Sequence, residues 1–417
     1  MNITDTFIKS ILPNSKVKPV QNIMDIKVQN IYRILNAIRF NDELTKKDIA
    51  SETGLSFATV SNLCRELIAK KLVLEVQADK SYTGIGRLPN NVQLNYNEFF
   101  GVCIDMQRSG HITLALTNLR NEIVIKMEVR LRKHDSTESF VEECYRVCED
   151  VCKQAGIKRE SLLGLCIAVP AIYDSDNGVT VGVCEGQEVP LLEGKPIKYL
   201  FSEAFSLPVF VDNDANIASM SITSNHTHGL DGCKNLIYIH CSEGLGVGII
   251  VDKKQLVGCS GYAAEVCHIP IGSEKLTCKL CGSTGCVERD LTISGFVSKY
   301  MNIDAWGSTD LFDKWENFLS AVDSGDVKAT EVVGENAKIF GNLVSILVNL
   351  FDPEIVYIGG NVSVLFEKMK KTIEAEVKKR LISRSSIRAV LLQDDDKNTI
   401  VHGCAETIFK RINFASL

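Results

Sequence analysis

Four short apolar runs that stop on acids or glycines narrow the fold of this chain more than any other feature. Phe99 to Ile104 ends on Asp105, and Val209-Phe210-Val211 ends on Asp212-Asn213-Asp214. Leu236 to Cys241 leads into a glycine ladder, Gly244, Gly246 and Gly248, and Ile355 to Ile358 closes on Gly359-Gly360. Runs of this length suit strands buried on both faces. His111–Thr117, Asn121–Val129 and Leu163–Val169 read as further strands, and Glu138–Gln154 as a helix. Strands alternating with helices, with polar or glycine turns after the strands, predict an α/β fold that binds ligands at the strand ends.

The first hundred residues follow a different period. Val28, Ile31, Leu35 and Ile38 recur at helical spacing. Thr45 is placed to cap a short helix, with Asp48 three residues on to complete a capping box. Gly54 ends that helix, and Ser56 is placed to cap a longer one from Phe57 to Lys70 with Val60, Leu63 and Leu67 inward. Ala50, Gly54 and Val60 fit a helix-turn-helix: a small residue at the crossing, a turn, and an apolar plug. Leu72–Val76 reads as a strand and Tyr82–Arg87 as a wing with a basic tip. Ser56, Thr59, Asn62, Arg65 and Arg87 are the candidate DNA contacts. The competing reading is a helical hairpin for oligomerisation.

Charge supports the first reading. The chain carries −6 overall, but residues 1–96 hold 13 Lys+Arg against 9 Asp+Glu, and the remainder holds 33 against 43. A basic module on an acidic body fits one part that meets nucleic acid and one that does not. No apolar run reaches eighteen residues, and Met1–Lys18 lacks a secretory pattern, so no membrane association and a cytoplasmic location are expected. Most of the fifteen cysteines, among them Cys103, Cys166, Cys233 and Cys241, are scattered through apolar runs and read as small buried hydrophobes.

One cysteine cluster is different. His268, Cys278, Cys281 and Cys286 offer one imidazole and three sulfurs, a closed tetrahedral set suited to structural Zn²⁺. Gly282 and Gly285 let the loop fold tightly around an ion. The alternatives are an unliganded loop or a disulfide, and neither requires the Cys-Gly-x-x-Gly-Cys turn.

Taken in order, Pro208–Asn216, Leu236–Glu288 and Asn349–Ser363 resemble the ROK family of bacterial repressors and sugar kinases. Glu265-x-x-His268, then Cys278 and Cys281-Gly-Ser-Thr-Gly-Cys286-x-Glu288, are the most specific part. Two residues, Lys279 and Leu280, separate the first two cysteines where the family usually has one. The resemblance implies an actin/hexokinase-like duplicated α/β domain with ribonuclease H-like lobes over 97–417, its zinc-binding loop at 268–286. With the winged helix-turn-helix over 1–96, it implies the repressor branch, xylose-repressor-like. Asn213, Asp214, Glu265, His268 and Glu288 match the family's sugar-binding residues, and Asp214 its catalytic base, vestigial here.

The phosphate loops decide between kinase and sensor. Asp105 is followed by Met106-Gln107-Arg108-Ser109 where the family has glycines and threonine, and Ser242-Glu243-Gly244 stands where Thr-Gly is usual. Bulky side chains keep backbone from phosphate, and a carboxylate at Glu243 repels a triphosphate. ATP is therefore not expected as a cofactor. The expected function is repression of sugar-utilisation genes, with operator DNA and a sugar effector as partners of a homodimer or homotetramer. The alternative is an ATP-dependent sugar kinase. Pro170 is followed by Ala171 where kinases carry glycine, and 182–189 lacks their Asn-Leu-x-x-Trp stretch, so the sequence does not name the sugar.

Overall fold

A computed structural model of the protein describes residues 23–77, 90–107, 110–130, 134, 136–182, 192–224, 233–381 and 390–417. Their contacts divide into two units. One runs to Glu98 and also takes Ile412–Leu417; the other is Phe99–Arg411. The expected boundary at 96/97 lies two residues earlier than this division. The sequence reading had kept the last six residues with the second unit, because so short a segment carries no periodic pattern to assign it.

The first unit comprises helices α1 (Ile23–Ile38), α2 (Lys46–Thr53) and α3 (Phe57–Ala69), then strands β1 (Val73–Gln77) and β2 (Asn90–Leu94). Thr45 and Asp48 form the capping box at α2, and Gly54 ends it in the left-handed region at φ 70°. Ser56 caps α3, accepting from Thr59 N at 3.1 Å. Ile31, Leu35, Ile38, Ile49, Val60, Leu63 and Leu67 are buried together, as their spacing requires. β1 and β2 pair antiparallel, Val73 opposite Leu94. The wing residues Tyr82–Arg87 between them lie outside the described residues. Lys70, at the end of α3, donates to the carbonyls of Phe414 (3.2 Å) and Ala415 (2.6 Å), tying the C-terminal tail to this unit.

The second unit is built twice on one plan. Its first sheet has β3 (Phe100–Met106), β4 (His111–Asn118), β5 (Ile123–Arg130), β6 (Leu162–Val169) and, after a small hairpin β7 (Ile172–Asp174) and β8 (Val179–Val181), β9 (Val209–Asn213). Helices α4 (Thr137–Ala155), α5 (Ile197–Phe205) and α6 (Asp214–Ser224) accompany it. The second sheet has β10 (Leu236–Cys241), β11 (Leu245–Val251), β12 (Lys254–Gln255), β13 (Ile355–Gly359) and β14 (Val390–Gln393). α7 (Glu288–Leu291), α8 (Ile293–Met301), α9 (Leu311–Asp323), α10 (Val327–Phe351), α11 (Phe366–Arg380) and α12 (Thr399–Arg411) complete the unit.

The strand orders are β5-β4-β3-β6-β9 and β12-β11-β10-β13-β14. In each, an antiparallel meander is followed by two parallel crossovers. β3 and β6 are buried on both faces, which accounts for their unbroken apolar runs. At the edge, β5 alternates half-buried Ile123, Ile125, Met127 and Val129 with exposed residues. Cys103, Cys166 and Cys404 pack with Ala115, Ala168 and Ile408 where α12 crosses the first sheet, so the cysteines serve there as small apolar residues. α6 covers the second sheet through Ala218 and Ile222. The glycine ladder lets it approach: a Cβ on Gly246 would lie 2.7 Å from Ala215 Cβ, and one on Gly248 2.6 Å from Ser219 Cβ.

Candidate functional site

The ends of β6 and β9, the β10–β11 turn and the loop 263–288 enclose a cavity of about 220 Å³. Asn213, Asp214, Glu265, His268 and Glu288 all line it, with Pro170, Ala171, Asn216 and Leu280 among their neighbours. Asn213 is fixed from both ends. Its Nδ2 donates to the Ala171 carbonyl at 3.2 Å, and its Oδ1 accepts from Ala215 N at 3.0 Å, which caps α6. Asp214 Oδ1 also accepts from Ala215 N at 2.7 Å. Glu265 opens a short 3₁₀ turn that carries His268, and Glu288 begins α7, with only 1% of its surface exposed. The wall thus holds three carboxylates, two amides and an imidazole in a space suited to one small polyhydroxylated molecule.

Asn216 was not anticipated. Its Nδ2 donates to Asp212 Oδ1 at 2.9 Å, while its Oδ1 is buried without a hydrogen-bond partner among the described residues. Its place three residues after Asn213, on the same side of α6, was the available signal. The apolar and backbone lining from Pro170, Ala171 and Leu280 leaves no comparable mark in sequence.

His268 also belongs to a second arrangement. The ligand atoms of His268, Cys278, Cys281 and Cys286 lie within 4.8 Å of one another. His268 Nδ1 is 3.7 Å from Cys278 Sγ, and the Cys281 and Cys286 sulfurs are 3.3 Å apart. That separation exceeds a disulfide bond of about 2.05 Å. A tetrahedron with metal–sulfur bonds of about 2.3 Å has sulfur–sulfur edges of about 3.8 Å, so the two sulfurs lie within the span of one ion. Gly282 and Gly285 take φ of 72° and 81°, and Cys278 N donates to the Ser283 carbonyl at 2.8 Å, so the loop wraps the centre as the spacing requires. The donor set and its closeness form a Cys/His group that could hold a metal ion. Leu280, Cys281 and His268 line the cavity as well, so the metal loop forms part of its wall.

The nucleotide-side positions have other work. Ser242 Oγ donates to Asn361 Oδ1 at 2.5 Å. A Cβ on Gly360 would strike the backbone of Cys241, and one on Gly359 the Tyr238 hydroxyl, so both glycines are required by strand packing alone. Of the first phosphate loop, Arg108 and Ser109 lie outside the described residues, as does 183–189.

Burial pushes the Asp105 carboxyl up to about 7, and the negative charges of Asp214 and Glu128 act in the same direction. The folded value exceeds the unfolded one, so this group costs stability as pH rises from about 4, fully so above about 7. Asp105→Asn is expected to raise the melting temperature at about pH 8, by the equivalent of about 1–3 kcal/mol after solvent screening. The gain should vanish near pH 4; equal gains at both would refute the assignment.

On α3, Asn62 and Arg65 are exposed. Ser56 and Thr59 are engaged with each other: their hydroxyls are 2.8 Å apart in addition to the cap. Arg87 lies outside the described residues.

Comparison with known proteins fixes the lineage. The ROK family profile matches residues 102–407. This chain belongs to the ROK family. A MarR family profile matches residues 29–80 of the same chain, so the ROK domain follows a helix-turn-helix module of winged type. The xylose repressor of Caldicellulosiruptor bescii is 29% identical over 362 residues, covering 84% of this chain and 88% of the relative. The glucokinase of Halalkalibacterium halodurans is 28% identical over 306 residues, covering 68% and 88%. Among solved structures, a ROK family transcriptional regulator described as a homolog of the E. coli MLC protein superposes with a TM-score of 0.76. It is 21% identical, with 92% of this chain and 96% of that one covered, a likeness of fold. The chain is thus similar in sequence to both a repressor and a kinase, the kinase over a smaller share of it.

Proposed function

We propose that the protein is a transcriptional repressor whose hold on operator DNA is controlled by a sugar. The observation that carries this reading is the coupling in one chain of a helix-turn-helix unit to a cavity walled by Asn213, Asp214, Glu265, His268 and Glu288. The first unit binds DNA through Asn62 and Arg65; the second grips vicinal hydroxyls with its carboxylates and amides. Zn²⁺ is the metal of the Cys/His centre. It would supply no chemistry to the sugar; it fixes the loop so that His268 presents its ring to the cavity. The repressor acts in the cytoplasm as a homodimer or homotetramer on paired half-sites. Among the described residues no helix is long and apolar enough to cross a membrane. Sugar releases DNA by binding more tightly to one arrangement of the lobes than to the other.

No enzyme activity is proposed. Ser242 is spent on Asn361, and the Gly359-Gly360 pair has a packing role. The kinase reading keeps one observation in its favour, the placement of Asp214 in the cavity wall. Purified protein bound to a library-selected operator duplex, titrated with pentoses and hexoses headed by xylose, tests the two together. Release by a sugar without consumption of ATP supports the repressor. ATP-dependent phosphorylation that disappears in Asp214→Asn overturns it.

A further inference from the structure

We infer that Phe57 reads sequence, packing its ring against a thymine 5-methyl group in the major groove. This rests on the DNA-binding reading above and extends it to a residue and a base. Phe57 opens α3, yet 59% of its surface is exposed, more than any other large apolar side chain described in the first unit. Packing within the unit does not account for it. At about 100° per residue, Phe57, Ser61, Arg65, Ala58 and Asn62 fall on one stripe, with Phe57 at its edge next to buried Cys64 and with Leu63, Leu67 and Val60 buried on the other side.

The stripe is suited to DNA. The one acid of α3, Glu66, is held by Lys27 at 2.8 Å and Lys70 at 3.5 Å, away from the stripe. Arg65 is left as its charged member, complementary to phosphate or to a guanine edge. Ser56 and Thr59, the hydroxyl residues flanking Phe57 and Ala58, are spent on the cap and on each other, and the Ser61 hydroxyl lies one turn further along. The N-terminal turn of the helix therefore meets the groove with an aromatic ring and the Ala58 methyl. The apolar feature of the major groove that such a surface can recognise is the thymine methyl. Asn62, one turn on, is able to pair with an adenine edge.

The test uses the full-length protein and a duplex that it selects from a randomised library. Each thymine is replaced in turn by deoxyuridine, which removes the 5-methyl group alone. At the thymine that Phe57 meets, the wild type should bind the uracil duplex about fourfold more weakly, the worth of one buried methyl. Phe57→Ala should bind the two duplexes equally, and Phe57→Leu should restore part of the difference. The exposed position predicts an unchanged melting temperature for both variants. If a duplex is selected and no replacement weakens the wild type more than Phe57→Ala, the inference is overturned while DNA binding stands. If Phe57→Ala instead changes the oligomeric state, the ring serves a protein contact and the inference is likewise overturned. Selection of no duplex at all overturns the DNA-binding reading with it.

Discussion

Cys286→Ser is expected to empty the Cys/His centre and remove the sugar response in the same step. Cys278 and Cys286 are each 1% exposed, and the loop around them is held by short turns. With a ligand gone, binding energy that for small structural zinc sites reaches about 10 kcal/mol no longer holds the loop. Cys281, Leu280 and His268 would then lose their positions in the cavity wall. The expected readings are a fall from about one zinc per chain to none by elemental analysis and a weakening of sugar binding by about 100-fold or more by calorimetry. The melting temperature should also drop markedly. A variant that holds no zinc yet binds sugar as before would separate the loop from the cavity and defeat the coupling.

Glu288→Ala is expected to produce the largest loss confined to the ligand. Its carboxylate is almost wholly enclosed and faces the cavity at the start of α7. A sugar hydroxyl left without this acceptor loses a charge-assisted hydrogen bond, worth about 2–3 kcal/mol, or about 30- to 150-fold in Kd. Operator binding without sugar should be unaffected, so the variant should behave as a repressor that needs far more sugar for release. Glu288→Gln, which keeps the shape but not the charge, should fall between. Unchanged sugar affinity in both would remove Glu288 from the site.

How much of this was legible depended on how local each feature is. Thr45, Asp48 and Gly54 act within one turn of chain, and their roles could be read from spacing alone. The same holds for the cysteine loop, whose glycines and ligands lie within twenty residues. The cavity is not local. Asn213 and Glu288 come from different lobes, and only the resemblance to a family joined them before the structure did. Ser56 and Thr59 show a different limit: a hydroxyl near a helix start serves equally for a cap or a base, and sequence does not say which. For Gly359-Gly360 the sequence offered a turn after the strand, and the close approach of Tyr238 and Cys241 supplied a second reason. Phe57 carries no such mark in the sequence, because an apolar residue in a helix is ordinarily core.

The hold of Lys70 on Phe414 and Ala415 has a consequence for how this polypeptide is made. The unit formed by residues up to Glu98 is finished by Ile412–Leu417, with Phe414 only 2% exposed. Synthesis from the N-terminus would ordinarily let a leading domain fold first. Here the leading unit stays incomplete until residues 412–417 have been made, so a product that stops short of them lacks part of its own first module. Nor can one scission of the backbone part the two units into whole pieces, because the chain passes from one to the other twice.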